Sequence, residues 1–543
     1  MQIQFLGAAK VVTGSNYLIS TNKYKILLDC GLFQGSKQLE KLNFKDFEFD
    51  PTQMDFLLLS HAHIDHSGRI PKLVKDGFNG KIVTTKATKD LCDIMLVDSG
   101  HIQESDATWE NNKRKRAGLP LLEPLYTAAD AKVSLNYFDP CLYDQTIRLN
   151  EDITVRFKDA GHILGSSIIE LWVTENNKTA KIVFTGDLGM KNKPLLKDPE
   201  FIEEADYIIV ESTYGNRLHE KIEERTKELI DIINKTALRG GTVIIPSFAI
   251  NRTQELIYEL NKYYAHTKEL ENFMKVPIYI DSPMAISATE VYRRNSSGFD
   301  DTTKKLILSG DDPFHFENLY YVNSQKESMR LNNQPYPKVI ISASGMCNAG
   351  RVRHHLKHNL WDKNNSVIFV GYQAEGTLGR QLNEGVKKVR LLGEEIAVKA
   401  EIYSIEGFSG HADQKDLIIW LKAFKNLPKK IFVVHGEEES AETFAKLLEE
   451  KLGVDTIVPN MGYIFEVKDN MLKSYSGEIL EPLKKKENIL KELQDVYNTF
   501  DHLARKTDML IDDKLLKKEY DQLKNKLLEL NQQLLDINML LSR

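Results

Sequence analysis

Ser60-His61-Ala62-His63-Ile64-Asp65-His66-Ser67-Gly68 follows directly on an apolar run, Phe56-Leu57-Leu58-Leu59. Short unbroken apolar runs are typical of strands buried on both faces. The polar cluster therefore stands where such a strand leaves its sheet. Arg69-Ile70-Pro71 behind it reads as the start of a helix. Imidazole and carboxylate are the ligands of hydrolytic zinc, and catalytic sites keep one coordination position open for water. In an extended segment His61 and His63 point to the same side, so one metal takes both. The turn into a helix brings Asp65 and His66 round to a second. A lone histidine here would ordinarily be a core or surface residue. Three histidines and one aspartate between positions 61 and 66 call for metal.

Working outward, other apolar runs also end in polar residues: Lys25–Asp29 (KILLD), Lys181–Thr185 (KIVFT) and Tyr207–Glu211 (YIIVE). Strand ends along one sheet edge are where α/β proteins place their chemistry. Asp159-Ala160-Gly161-His162 follows the strand Thr154–Phe157. Thr185-Gly186-Asp187 sets a carboxylate where it can bridge two cations, and Val433-Val434-His435-Gly436 repeats the pattern late in the chain. Each alone is weak evidence. Together they complete the shells of two metals.

From about Tyr214 the texture changes. Helical stretches (Glu220–Leu238, Asn251–Tyr264, Gly350–Leu360) alternate with strands Thr242–Pro246, Pro277–Asp281, Lys338–Ser342 and Ser366–Val370. Such alternation predicts a parallel sheet covered by helices. Strand character returns near Ile396, through Ile402–Ile405 and Lys430–Val434, so the middle region reads as a second α/β domain inserted into the first. Near the end, Leu516, Tyr520, Leu523, Leu527, Leu530, Leu534, Ile537 and Leu541 form a heptad stripe, and Ile489, Leu493, Val496, Phe500 and Leu503 form an earlier one. A helical hairpin on its own chain and a dimerisation element fit this equally well.

Bulk properties set the frame. A chain of 543 residues with 42% hydrophobic content predicts two or three soluble domains. No apolar run reaches the roughly 18 residues of a membrane span. Met1–Gly7 alternates like a strand, without a cationic start and apolar core, so a cytosolic protein is expected. Cys30, Cys92, Cys141 and Cys347 are widely spaced and read as reduced, mostly buried thiols. A net charge of −6 means that any nucleic acid would be held by a local basic groove or by metals.

The His61-x-His63-x-Asp65-His66 run, followed by His162, Asp187 and His435, resembles the metallo-β-lactamase superfamily. Glu211 in Val-Glu-Ser-Thr-Tyr-Gly, His411 in Phe-Ser-Gly-His-Ala-Asp and His435 in Val-Val-His-Gly-Glu resemble its β-CASP nucleases. Within that group the chain is most similar to bacterial relatives of the endonuclease subunit of the eukaryotic polyadenylation machinery. The resemblance covers roughly residues 1–470. It implies an α/β fold class: a metallo-β-lactamase αββα sandwich (1–212 and 396–470), an inserted β-CASP α/β domain (213–395) and a C-terminal helical or coiled-coil extension (471–543).

Carried over position by position, the resemblance implies that His61, His63 and His162 hold one zinc, that Asp65, His66 and His435 hold another, and that Asp187 bridges them. Manganese is the alternative metal. Asp29 matches the family's first motif and would orient ligands from behind, the plain alternative being a strand-end turn residue. Every ligand position is filled, which argues against an inactive scaffold. RNA-cutting members resemble this chain in having histidine at the last motif, whereas DNA-repair members do not, so His435 tilts the expected partner to single-stranded RNA.

The implied chemistry is phosphodiester hydrolysis by a hydroxide activated between two metals, leaving 5′-phosphate and 3′-hydroxyl ends. Asp65 and Asp187 belong to that catalytic set. His411 is the candidate general acid and Glu211 orients it and favours its protonated form, the alternative for His411 being a helix-start residue. Ser344 and Gly345 lie in a small-residue loop that can offer N–H groups to phosphate, with Arg351 and Arg353 behind it and Arg380 in a second loop-to-helix segment. Lys113–Arg116 (KRKR) is a candidate rim of the RNA path. For each of these basic residues a solvated helix face is the competing reading. If both domains contribute, the site lies in the cleft between them, and a long RNA requires the domains to open. Three rivals stand beside the ribonuclease: a DNA nuclease, a small-molecule (thio)esterase of the same fold, and a scaffold assembled through the heptad helices. A homodimer through the β-CASP domain or the C-terminal helices is compatible with all of them.

Overall fold

The computed structural model describes residues 1–219, 222–266, 276–373, 376–405, 408–468, 471–474, 496 and 524–533. Residues 1–477 form one compact unit and residues 478–543 a second. In the second, the described stretch 524–533 is helical. Most heptad positions lie outside the described residues. No helix among the described residues is long and apolar enough to cross a membrane.

Two sheets face each other in the larger unit. The first runs Met471–Ser474, Tyr463–Glu466, Gln2–Phe5, Tyr17–Ser20, Lys25–Leu28, Phe56–Leu58, Lys81–Thr85, Phe138–Cys141. The second runs Thr456–Ile457, Lys430–Val434, Tyr207–Glu211, Lys178–Phe184, Ser167–Glu175, Ile153–Asp159, Ile147–Arg148. Aromatic side chains join their inner faces: the rings of Phe5 and Phe432 are 5.1 Å apart, Tyr17 and Phe184 5.4 Å, and Phe432 and Phe465 4.9 Å. Such offset and edge contacts add specificity to the area they bury. On the outer face of the second sheet, Leu417, Trp420 and Leu421 (helix Gln414–Leu421) and Phe444 and Leu448 (helix Glu438–Leu452) pack on Ile208, Val210, Ile431 and Val433. On the first, Leu57, Leu59 and Ile82 share a core with Ile70, Leu73, Leu91 and Leu96. This is an αββα sandwich.

A third sheet, parallel throughout, runs Leu319–Tyr321, Ile278–Ile280, Lys338–Ser342, Thr242–Pro246, Ser366–Phe369, Glu401–Ser404. Its central strands are buried along their whole length, as a parallel sheet covered on both faces demands. The insertion was expected to end at 395. Instead Glu401–Ser404 pairs with Ser366–Phe369, Val367 opposite Ile402, and completes the inserted sheet. Apolar patterning marks a strand but not its partner. The apolar core continues from the sandwich into this domain: Leu164, Leu195 and Leu196 lie in one cluster with Tyr292, Phe299 and Phe314.

The first two hundred residues contain a helix of 32 residues, Lys86–Ala117. Its first half buries Leu91, Cys92 and Leu96, while from His101 onward it is exposed or half-buried and carries no apolar stripe. Without that periodicity its length left little signal. All four cysteines are buried and unpaired, and burial pushes the Cys30 thiol up to about 12.

Candidate metal centre

Parallel pairing brings several strand ends to one edge. Glu211 stands opposite Val434 and Phe184 opposite Ile209, so Asp187, Glu211 and His435 emerge together. His61 and His63 follow strand Phe56–Leu58, and Asp65 and His66 ride the single-turn helix Ile64–Ser67. His162 sits on the turn between Ile153–Asp159 and Ser167–Glu175. There Ser166 Oγ accepts hydrogen bonds from the His162 and Ile163 amides at 3.0 and 3.2 Å.

The donors fall into two groups, His61, His63, His162 and Asp187 in one and Asp65, His66 and His435 in the other. His61 Nε2 and His162 Nε2 lie 3.1 and 3.2 Å from His63 Nδ1, and His66 Nε2 lies 3.0 Å from His435 Nε2. Asp187 faces both groups. Its Oδ2 is 3.5 Å from His61 Nε2 and from His162 Nε2, and its Oδ1 is 3.3 Å from His66 Nε2 and 3.6 Å from His435 Nδ1. Oδ1 is buried without a hydrogen-bond partner among the described residues. Ligands about 2.0–2.1 Å from a tetrahedral zinc stand about 3.3 Å from one another, so these spacings suit a shared cation. The orphaned oxygen between two histidine groups fits a pair of divalent cations better than a hydrogen-bond network.

A layer behind the donors fixes their orientation. Asp29, fully buried, accepts from the Ser60 amide (2.8 Å), from the Ser60 and Ser15 hydroxyls (2.9 and 3.0 Å) and lies 2.6 Å from His66 Nδ1. The carboxylate thus holds the His66 ring with Nε2 turned into the site. Ser60 Oγ, 3.1 Å from His61 Nδ1, does the same for that ring, and Gly410 O lies 3.1 Å from His162 Nδ1. Asp29 and His435 both have left-handed backbone, φ 57° and 49°, an uncommon conformation outside glycine that clusters at functional sites.

Electrostatics divides the set. Burial drives the His61 and His162 imidazoles well below their ordinary pKa and His63 down to about 4, keeping all three neutral as metal ligation requires. Against burial, Asp187 and Asp29 raise His66, and His435 and His66 hold Asp187 well below the carboxylate range. His411 Nδ1 lies 3.0 and 3.2 Å from the two oxygens of Glu211, whose Oε1 also accepts from the Leu188 amide at 2.7 Å. Burial opposes charge on His411, but Glu211 and Asp187 outweigh it and push the imidazole up to about 9. His411 reaches the rim of the first group, its ring 4.6 Å from that of His162.

Two residues not singled out in the sequence also support His162. Asn251 Nδ2, from the inserted domain, and Lys193 Nζ donate to its carbonyl at 3.3 and 3.4 Å. Lys193 belongs to a buried charge cluster in which Glu255 faces Lys193, Arg225 and Arg252 at 3.5, 3.0 and 2.6 Å. Contacts to a backbone carbonyl leave no motif; the left-handed φ of 68° at Asn251 has no sequence signature either.

The expected substrate residues are more scattered. Arg351 is committed within the inserted domain: Nη1 pairs with Asp281 at 2.6 Å and Nη2 donates to the Asn323 carbonyl at 2.9 Å. Its charge is spent on a buried carboxylate, so the reading of Arg351 as an RNA contact does not fit its geometry. Ser344 Oγ accepts from the Ala349 amide at 3.4 Å, and the Gly345 carbonyl accepts from Gln373 at 3.1 Å, so this loop is bound chiefly to itself. Arg353 is half-buried, and exposed Arg380 pairs with Glu384 at 2.6 Å. The KRKR run forms the end of helix Lys86–Ala117, with Lys113 over the Trp109 ring at 3.1 Å.

Family comparisons agree with this architecture. The metallo-beta-lactamase superfamily model matches residues 9–247, the Beta-Casp domain model 253–382, and the Zn-dependent metallo-hydrolase RNA specificity domain model 395–459. Ribonuclease TTHA0252 of Thermus thermophilus is 38% identical over 448 residues, 82% of this chain and 96% of that protein. The RNase J-like protein of Methanocaldococcus jannaschii is 33% identical, over 86% of this chain and 99% of its own. Transcription termination factor FttA of the same organism is 32% identical, over 84% and 70%. With a sandwich carrying paired donor groups, an inserted parallel-sheet domain and two relatives matched over nearly their whole length, this chain belongs to the metallo-β-lactamase superfamily and, within it, to the β-CASP ribonuclease family, whose members are metal-dependent hydrolases.

Proposed function

We propose that the chain is a zinc-dependent ribonuclease that hydrolyses phosphodiester bonds of single-stranded RNA, leaving 5′-phosphate and 3′-hydroxyl ends. The observation that carries this reading is the His411–Glu211 pair, 3.0 Å apart, at the rim of two adjoining groups of metal donors. The ribonuclease names of two relatives point to RNA as the substrate. His61, His63 and His162 would hold one zinc, Asp65, His66 and His435 the other, and Asp187 both. Manganese is the alternative occupant. When bound, such a pair supplies Lewis acidity, lowering the pKa of a water and neutralising charge that builds on the phosphate.

The chain's own residues do the rest. Asp29 and Ser60 hold the imidazoles in register, and Asp65 and Asp187 supply the negative charge that offsets the cations. His411, kept protonated by Glu211, gives its proton to the departing ribose oxygen. Ser344, Gly345, Arg353 and Arg380 remain proposed contacts to the RNA chain. We divide the chain into a metallo-β-lactamase domain (1–212, resuming after 404), a β-CASP domain between, and a helical extension that starts not at 471 but beyond strand Met471–Ser474, which pairs with Tyr463–Glu466 and so closes the first sheet. Acting on RNA, the enzyme would work in the cytoplasm, and self-association through the inserted domain or the C-terminal helices is tested by sedimentation of the full chain.

End chemistry and metal content test the reading. Fragments from an internally labelled RNA should be degraded by an exonuclease that demands a 5′ phosphate. Fragments that resist it until phosphorylated would refute the product assignment. Metal analysis should give two zinc ions per chain, reduced in His162→Ala.

A further inference from the structure

Arg217 follows the Glu211 strand at the mouth of the metal centre. Its guanidinium lies 5.3 Å from the centre of the Tyr214 ring, and that ring lies 6.1 Å from the His411 ring. The backbone here is fixed: the Arg217 amide donates to the Tyr214 carbonyl (3.3 Å), and its own carbonyl accepts from the Gln414 amide (3.1 Å), three residues beyond His411. The side chain is not. Nε makes one long contact, 3.4 Å, to Asn216 Oδ1, and no carboxylate pairs with the guanidinium among the described residues. Arg217 is exposed. An arginine seated on an aromatic face with its planar fork unengaged is arranged for a planar or tetrahedral oxyanion.

A second arginine, Arg380, comes from helix Leu378–Asn383 of the inserted domain. Its partner Glu384 is on the same helical face, and both are exposed, 44% and 56%. Exposed pairs of this kind are weak and exchange readily. The Tyr372 hydroxyl, from the inserted domain, donates to Glu437, two residues beyond His435. Burial and Glu437 raise the Tyr372 phenol, and Arg217 and Arg380 both pull it back, so both guanidinium groups stand near this bridge.

We propose that Arg217 is a phosphate-binding residue of the RNA path, taking the backbone phosphate next to the scissile one, with Arg380 facing it from the other domain. The inference rests on the ribonuclease reading and adds to it a subsite no motif marked. Tyr214 holds the guanidinium two contacts away from the proton donor, beyond the scissile phosphate itself. Unlike Arg351, the residue pairs with no internal carboxylate among the described residues.

The test uses the full zinc-loaded chain and a single-stranded RNA, with Arg217→Ala, Arg217→Lys and, as a control, Lys429→Ala. Lys429 lies at the opposite end of strand Lys430–Val434 from His435, roughly 20 Å away along the strand. Zinc content and melting temperature establish that each variant is folded. Arg217→Ala should raise KM about tenfold, with a smaller effect on kcat, and flatten the dependence of log(kcat/KM) on log salt by about 0.7. Arg217→Lys should restore the salt slope but only part of KM. Lys429→Ala should match the parent. Unchanged KM and slope in Arg217→Ala, in an enzyme that cuts RNA, overturns the inference and leaves the ribonuclease reading standing. A zinc-loaded parent that neither cuts RNA nor binds it by fluorescence anisotropy overturns the ribonuclease reading first, and the subsite with it.

Discussion

His411 Nδ1 lies 3.0 Å from Glu211 and 3.8 Å from Asp187, two carboxylates that favour the protonated ring its proposed role as proton donor needs. His411→Ala should lower kcat by about 10²–10⁴, with zinc content unchanged. Glu211→Gln removes the charge that favours the protonated ring. The His411 pKa should then fall, moving the alkaline limb of the pH–rate profile to lower pH; a limb that stays in place would remove Glu211 from this role. Asp159, three residues before His162, gives a pH test of stability. Burial pushes its carboxyl up to about 7. With a folded pKa above the unfolded value near 3.9, the folded chain keeps a proton that the unfolded chain releases. This group's contribution is therefore fully present below about pH 4 and lost as pH rises through about 7, a penalty of up to about 4 kcal/mol. Asp159→Asn should melt higher than the parent at pH 8, the gain shrinking towards pH 5 in paired thermal melts. Equal differences at both pH values would contradict it. At this scale the sequence was most legible where chemistry needs clustered residue types, as from His61 to His66. Lys193, Asn251 and Arg217 were silent because their positions depend on tertiary approach to a carbonyl or a ring.

The element that sets the second donor group is the turn after strand Lys25–Leu28, packed on the single-turn helix Ile64–Ser67. Gly31 belongs to that turn, and a Cβ there would stand 1.6 Å from the Asp65 carbonyl oxygen. Gly31→Ala should therefore destabilise the protein by about 3 kcal/mol, at the upper end of overpacking costs, because a backbone carbonyl must move. It should also weaken zinc retention, since Asp65 and His66 move with it. Urea melts and metal analysis check both. Strand positions such as Thr242–Pro246 and Lys430–Val434 were readable to the residue, because continuous burial demands continuous apolar sequence. The sheet membership of Glu401–Ser404 was not readable, since its pairing with Ser366–Phe369 joins segments more than thirty residues apart. Helix Lys86–Ala117 was missed for the opposite reason: its exposed half has no face to mark.

Over the whole molecule, the inserted domain does more than roof the site. Asn251 reaches the carbonyl of His162, and the apolar core passes from Leu164 and Leu196 to Phe299 and Phe314 without a polar break. Loss of metal should therefore also loosen the docking of the inserted domain. A ligand that binds only the folded state stabilises it by about 2.7 kcal/mol at a hundred times its Kd, so removal of zinc should lower Tm by several degrees, and its return should restore it. The measurement that bears most directly on the central claim is cleavage of two end-labelled single strands of one sequence, RNA and DNA, by the zinc-loaded chain beside a chelated sample and Asp187→Ala. An RNA-specific, metal-dependent hydrolase should cut the RNA, spare the DNA and fall silent in both controls. Zinc-loaded protein that leaves the RNA intact, or cuts both strands alike, would contradict that claim.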